Sequence, residues 1–215
     1  MKIGIIGSGI VGQVLGSAFL KEGYEVMLGS RNPQKEEVTK WKNKNSAGLS
    51  GNFADTAAFG KMLVLACAGS AAIDVISLAG KENFSGKIII DATNPIAADA
   101  PVNGVLKFFT DGNESLMEKL QKELPEAKFV KAFNSVGNTL MYRPDYNGVK
   151  PTMFICGNDI PAKTAVSVIL QKFGWETADM GADTAARAIE PLCILWCIPG
   201  FIRNEWGHAF KLLRK

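Results

Sequence analysis

The chain reads as an α/β protein with a doubly wound, mostly parallel sheet of about eight strands and a short helical C-terminal segment. Short β-branched runs alternate with longer helical patterns up to about Asp91, the mark of βαβ units. A glycine-rich loop follows the first of those runs at the start of the chain. The length, 215 residues, supports one sizeable core and is short for a second substrate domain of ordinary size, so 1–215 is expected to be a single domain.

The first strand is expected from Lys2 to Ile6. Val11 to Glu22 is the first crossover helix, because Val11, Val14, Leu15, Ala18 and Phe19 recur at helical spacing and Gly23 ends the pattern. A strand at Glu25 to Leu28 leads to a polar helix from Pro33 to Asn45, with Asn32 as N-cap and proline at the first helical position. A weak strand near Ala47 to Gly51 and strands at Met62 to Cys67 and Lys87 to Asp91 follow. Thr93 to Gly112 shows no period, and an unstructured stretch of that length in a compact domain points to a functional loop. Beyond it come a helix (Asn113 to Glu123), strands at Lys128 to Ala132 and Thr152 to Cys156, a helix opened by Pro161, and a strand near Glu176 to Ala178. The last segment, 182–213, has a helical pattern that should kink or break at Pro191 and at Pro199-Gly200.

The 24 basic and 21 acidic residues are spread along the chain without the basic stripe that duplex binding needs, so no nucleic-acid partner is expected. The longest apolar run, Leu192 to Ile202, is well short of the roughly 20 residues of a spanning helix, so no membrane is expected either. The N-terminus enters the glycine loop too early for a secretory leader. Cys67, Cys156, Cys193 and Cys197 lie in apolar surroundings, which suits buried thiols in a reducing cytoplasm and predicts no disulfides.

Gly7-Ser8-Gly9-Ile10-Val11-Gly12 fits G-x-G-x-x-G after a strand and before a helix. In that context Gly7 makes the tight turn, Gly9 lets backbone approach a pyrophosphate, and Gly12 lets helix pack on strand, the Rossmann-type arrangement. At the end of the second strand, where a carboxylate would hold the ribose hydroxyls of NAD, the chain has Gly29-Ser30-Arg31-Asn32. A hydroxyl, a guanidinium and the start of the next helix converge where a 2′-phosphate would sit, so NADP is favoured, with Lys35 as a second charge or a solvated lysine. Ala68, Asn94 and Pro95 fall at the carboxyl ends of later strands, where ligands of open α/β sheets lie, and Ala132 is expected on the nicotinamide side.

No catalytic side chain and no metal site are expected. The only histidine, His208, lies in the apolar and basic tail, and Cys193 with Cys197 lack further zinc ligands. Trp196, Phe201, Ile202, Trp206 and Phe210 read as core or dimer interface rather than as a cofactor pocket.

The opening KIGIIGSGIVGQVLGSAFLKEGYEVMLGSRNP, then DATNPI, VKAFNSVG, FICGND and the closing AARAIEPLCILWC, resemble the NADP oxidoreductase, coenzyme F420-dependent family. The cytosolic reductase domain of the six-transmembrane metalloreductases is similar too. The resemblance implies an NADP-binding fold with a short helical addition, frequent homodimers, and hydride exchange between NADPH and a deazaflavin or flavin. By the resemblance, nucleotide binding falls to Gly7 to Gly12, Ser30, Arg31, Asn32, the loop at Ala68, Asn94, Pro95 and Ala132. Ala68-Gly69-Ser70-Ala71-Ala72 departs from the bulkier segment of the archaeal deazaflavin reductases, and the loop after Asn94 is long. The membrane helices of the metalloreductases, and their haem path, are not expected in this chain. Two other readings stand beside this one: a hydroxyacid or imine reductase, which would add a large helical domain and a catalytic Lys, Asp or His, and a non-catalytic NADP-sensing module.

Overall fold

The computed structural model describes all residues, 1–215. Six parallel strands form the main sheet in the order β3-β2-β1-β4-β5-β6: β1 Lys2–Ile6, β2 Glu25–Gly29, β3 Leu49–Gly51, β4 Met62–Leu65, β5 Ile88–Asp91 and β6 Lys128–Lys131. That order reverses between β1 and β4, which opens a crevice at the carboxyl ends of those two strands. β1, β4 and β5 are almost wholly apolar and buried, as strands covered on both faces must be.

The remaining strands, β7 Thr152–Ile155 and β8 Glu176–Asp179, pair in parallel as a separate sheet. This corrects the expected eight-stranded sheet. β7 meets β6 only at an antiparallel bridge, Lys131 with Cys156. At its other end the C-terminal tail has taken its free edge, with Thr152 N–H donating to the Phe210 carbonyl at 2.9 Å.

Helices cover both faces. On one, α1 Ile10–Lys21, α2 Glu36–Lys44 and α6 Ile160–Lys172 close a core holding Leu15, Phe19, Trp41, Ile169 and Phe173. On the other, α3 Phe53–Phe59, α4 Ala72–Ala79 and α5 Leu116–Glu123 close a core holding Phe53, Ile76, Phe84 and Met117. The expected start of the polar second helix at Pro33 is corrected to Glu36, with Lys35 at the N-cap. Asn32 has a different duty: its Oδ1 accepts from Gln34 N–H at 3.0 Å and shapes the preceding turn.

α3 and α4 were not among the expected elements. Each is short, and α3 is set by Asn52, whose side chain accepts from Asp55 N–H. The helix expected from Asn113 begins at Leu116, where Ser115 and Glu118 form a reciprocal capping box.

The C-terminal segment holds α7 Ala186–Ile189 and α8 Leu192–Arg203. The expected interruption at Pro191 occurs, but α8 runs through Pro199 and stops at Asn204, whose φ of 55° is left-handed. With its flanking turns the helical run Asp183–Arg203 has 21 residues, long and apolar enough to cross a membrane by length and composition. The eleven-residue apolar run therefore understated the helix. Residues 204–213, expected to be helical, lie outside any helix and fold back along α8: Trp206 packs on Gly200, and His208 stacks on Trp196 at 5.1 Å between centroids.

Candidate dinucleotide-binding site

β1 delivers the glycine loop to the mouth of the crevice. Gly7 sits at φ +133°, and a Cβ there would lie 2.3 Å from the Ala66 carbonyl oxygen. A Cβ on Gly12 would lie 2.0 Å from the Gly7 carbonyl oxygen, so this glycine is what lets α1 start so close to β1. Gly9 differs, because a Cβ there would meet nothing within 4 Å. Its backbone faces open space. Gly9 is the N-cap of α1, which has no side-chain cap and no acidic residue in its first turn. Its leading N–H groups and the positive end of its dipole are therefore free for an anion. An open backbone approach beside an uncapped helix start fits a pyrophosphate. Ser8 is buried, Ile10 is exposed and Val11 is half-buried along the same edge.

At the end of β2 the buried Ser30 accepts from Asn32 N–H at 3.2 Å, and its own N–H donates to the Gly51 carbonyl. These bonds fix a turn that leaves Arg31 exposed beyond the strand. Lys35 is half-buried at the start of α2, its ammonium 3.9 Å from Glu37. A groove along α1, lined by Lys21, Lys35, Lys40 and Lys44, continues from this basic edge.

On the other side of the glycine loop a small cavity of about 240 Å³ lies between Gly9, Ile10, Val11 and the β4 and β5 ends at Ala66, Cys67, Ala68 and Ala92. It shares Cys67, Ala68 and Ala92 with a cavity of about 800 Å³ over the ends of β4 and β5. The walls of the larger cavity include Ile73, Ile96, Phe109 and Leu116, and Lys119 is the one charged side chain lining it. Burial, reinforced by Asp91, pushes the Cys67 thiol up to about 12, so the sulfur at the junction of the two cavities stays protonated at neutral pH.

Asn94 lies at this rim: its Nδ2 donates to the Asn134 carbonyl at 2.7 Å, and its Oδ1 accepts from Asn134 Nδ2 at 3.3 Å. Pro95 is buried behind it. Ala132 is fully buried, and its N–H is committed to the Asp91 carbonyl at 3.0 Å, so its methyl and its donor both lie inside the fold. The structure thus brings Gly7 to Gly12, Ala68 and Asn94 around one crevice, with Ser30, Arg31, Asn32 and Lys35 at its basic edge. Sequence reasoning set Cys67 at the carboxyl end of the fourth strand, at this edge, without naming it as a site residue, and missed Lys119, Phe109 and Asn134. Only Phe109 carried a signal, as an aromatic inside the long loop.

The sequence profile of the NADP oxidoreductase, coenzyme F420-dependent family matches residues 2–95. A solved protein from Arthrobacter sp. fb24, named as an F420-dependent NADP-reductase, is 31% identical and superposes with a TM-score of 0.93, the two chains covering 100% of each other. The chain belongs to the NADP oxidoreductase, coenzyme F420-dependent family. Metalloreductase STEAP3 of Rattus norvegicus is 28% identical over 208 residues, which is 92% of this family member but 38% of the rat protein. The chain therefore spans about two fifths of that curated relative. The imine reductase of Streptomyces aurantiacus, at 16% identity and a TM-score of 0.66, shares the fold over 94% of the chain and 63% of its own length. The profile match ends at Pro95. It takes in the whole glycine-loop side of the crevice and stops where the long loop that walls the larger cavity begins.

Proposed function

We propose that this NADP-dependent reductase exchanges a hydride between NADP(H) and a planar redox ring, a deazaflavin or flavin, held in the cavity over the ends of β4 and β5. When bound, NADPH supplies the hydride. Gly7 to Gly12 and the free N–H groups of α1 hold the pyrophosphate, and Ser30, Arg31, Asn32 and Lys35 take the 2′-phosphate. The small residues Ala68 and Ala92 leave a low floor between the two cavities, on which a flat ring can lie. The observation that carries the reading is the chemistry of the larger cavity. Its lining is mainly apolar, it adjoins the glycine loop, and its one thiol is held protonated. Hydride transfer between two rings needs orientation and exclusion of water, and no obligatory side-chain acid or base.

The four cysteines are free thiols, which supports a cytoplasmic setting. The apolar face of α8 supports a homodimer.

The test presents NADPH with deazaflavin, FMN, FAD and ferric chelates in turn. Loss of NADPH absorbance with a deazaflavin or flavin supports the reading. Tight NADPH binding with no consumption by any of them would instead favour a sensing module, and consumption with an imine alone would favour reduction of another small substrate.

A further inference from the structure

Lys131, the last residue of β6, is fully buried. Its ammonium stands 2.7 Å from Asp91 Oδ2 and 2.9 Å from Glu190 Oε1, and it donates to the Thr93 carbonyl at 3.0 Å. Burial works against its charge, yet the two carboxylates outweigh burial and keep the lysine protonated. Each carboxylate has a second duty. Asp91 Oδ1 accepts from Thr93 N–H and Thr93 Oγ1 at 2.9 and 2.7 Å, fixing the turn that leaves β5. Glu190 accepts from Met117 N–H and Leu116 N–H, both at 3.0 Å, and so receives the start of α5.

Segment 93–115 therefore leaves the sheet and rejoins a helix on the same buried cluster. That segment supplies Ile96 and Phe109 to the wall of the larger cavity. Between its anchors it bonds mainly to itself, through the bridges Ile96 with Phe108 and Val102 with Val105. Glu190 stands at the junction of α7 and α8, and Asn134 makes a parallel tie, donating from Nδ2 to Asn94 Oδ1 and to the Ile189 carbonyl. Two carboxylates against one ammonium leave a formal charge of −1 in the core, balanced by the N–H groups at the start of α5 and at Thr93. Apolar side chains would fill the same space with less demand on geometry, so the cluster is built for placement rather than for stability.

We propose that Lys131, Asp91 and Glu190 are positioning residues that set the loop walling the acceptor cavity from the C-terminal helix. The inference rests on reading that cavity as the acceptor site. None of the three lines the groove along α1 or the cavity beside the glycine loop, so the cluster should act chiefly on the loop side of the crevice.

The experiment compares the full chain with Glu190→Gln, Glu190→Asp and Lys131→Met by amide hydrogen exchange with NADP⁺ bound, by NADPH affinity, and by KM against kcat for the acceptor found above. Glu190→Gln should speed exchange in 93–115 by about tenfold or more while β1, α1 and β2 exchange as before. Acceptor KM should rise by a larger factor than the NADPH Kd, since only Asn94 and Pro95 of the loosened segment border the nucleotide, and Glu190→Asp should restore part of both effects. Uniform acceleration along the chain, or an unchanged 93–115 with only a lower Tm, would overturn the proposal. Where Lys131→Met fails to fold, Glu190→Gln carries the test. The exchange readout needs no acceptor, so a wrong acceptor assignment shows as absent turnover with the exchange pattern intact.

Discussion

At the scale of single residues, the two sides of the crevice differ in how much the sequence revealed. Arg31 could be read directly, because the glycine loop, the crossover helix and the second strand are contiguous and fix its place just past the carboxyl end of β2. In the structure it is exposed beyond β2, on a turn held by Ser30 and Asn32. A charge-assisted bond to phosphate is worth about 1.5–3 kcal/mol, so Arg31→Ala should weaken NADPH about 10-fold to 150-fold in a titration and NADH much less. Equal losses for both nucleotides would remove Arg31 from the 2′-phosphate. The loop glycines separate in the same way. A methyl at Gly12 meets the Gly7 carbonyl at 2.0 Å, so Gly12→Ala should lower stability by about 1–3 kcal/mol or more in denaturant unfolding. Gly9 has φ −67°, ψ 179° and open space around a Cβ, so Gly9→Ala should keep its Tm and lose NADPH affinity. Parallel loss of both properties in Gly9→Ala would deny the open backbone its role. Lys119 was beyond reach of the sequence, since the first turn of α5 brings it to the cavity through tertiary contacts alone, and Phe109 showed only as an aromatic in an aperiodic loop.

At the scale of elements, the β1-α1-β2 half was legible because each piece carries its own signal: β-branched runs, helical spacing and a terminating glycine. α4 carried such a signal in Ala72, Val75, Ile76 and Ala79, the positions it buries, but eight residues between two strands are easily passed over. The count of strands failed for a different reason. β7 has strand composition, yet sheet membership depends on which edge it meets, and the tail at Phe210 holds that edge. The joint between α5 and α7 is another long-range feature. Arg187 grips Glu118 through Nε at 3.0 Å and through its terminal nitrogen at 2.6 Å, while Ser115 bonds the same carboxylate. Those bonds, Arg187 first, outweigh burial and hold the Glu118 carboxyl at about 2 against an ordinary 4.5. A depressed folded-state pKa gives stability that is present above the unfolded value and lost as pH falls through the folded one. Unfolding midpoints should therefore drop as pH falls from about 4.5 to about 2, and Glu118→Gln should flatten part of that acid limb while lowering stability at neutral pH. An acid limb identical in wild type and Glu118→Gln would show that other carboxylates govern it.

For the whole molecule, the C-terminal segment joins the site to the surface. Its inner side is spoken for: Glu190 enters the buried cluster, and Cys193, Trp196 and Gly200 pack inward. Its outer side leaves Leu195 54%, Phe201 46% and Ile202 55% exposed. The tip of the long loop rests against it, since a Cβ on Gly104 would lie 2.9 Å from Ile202 Cγ1, and adds Val102 at 71% and Val105 at 46% exposure. Helix and loop thus present one apolar surface, of the kind that marks an interface. A second copy is its simplest occupant, because a two-fold contact sets the same patch against itself. Fully burying a Leu or Ile side chain contributes about 1.5–3 kcal/mol, so Leu195 and Ile202, each a little over half exposed and counted on both protomers, are worth about 3–6 kcal/mol before association costs are set against them. The protein should therefore scatter light as a dimer at micromolar concentration. Leu195→Glu with Ile202→Glu should make it a monomer, because each interface carboxylate would be buried without a partner. NADPH affinity should survive that change, as neither Leu195 nor Ile202 lines the groove along α1 or the cavity beside the glycine loop. A wild-type monomer at every concentration, or a dimer unmoved by the two glutamates, would leave this face to another partner.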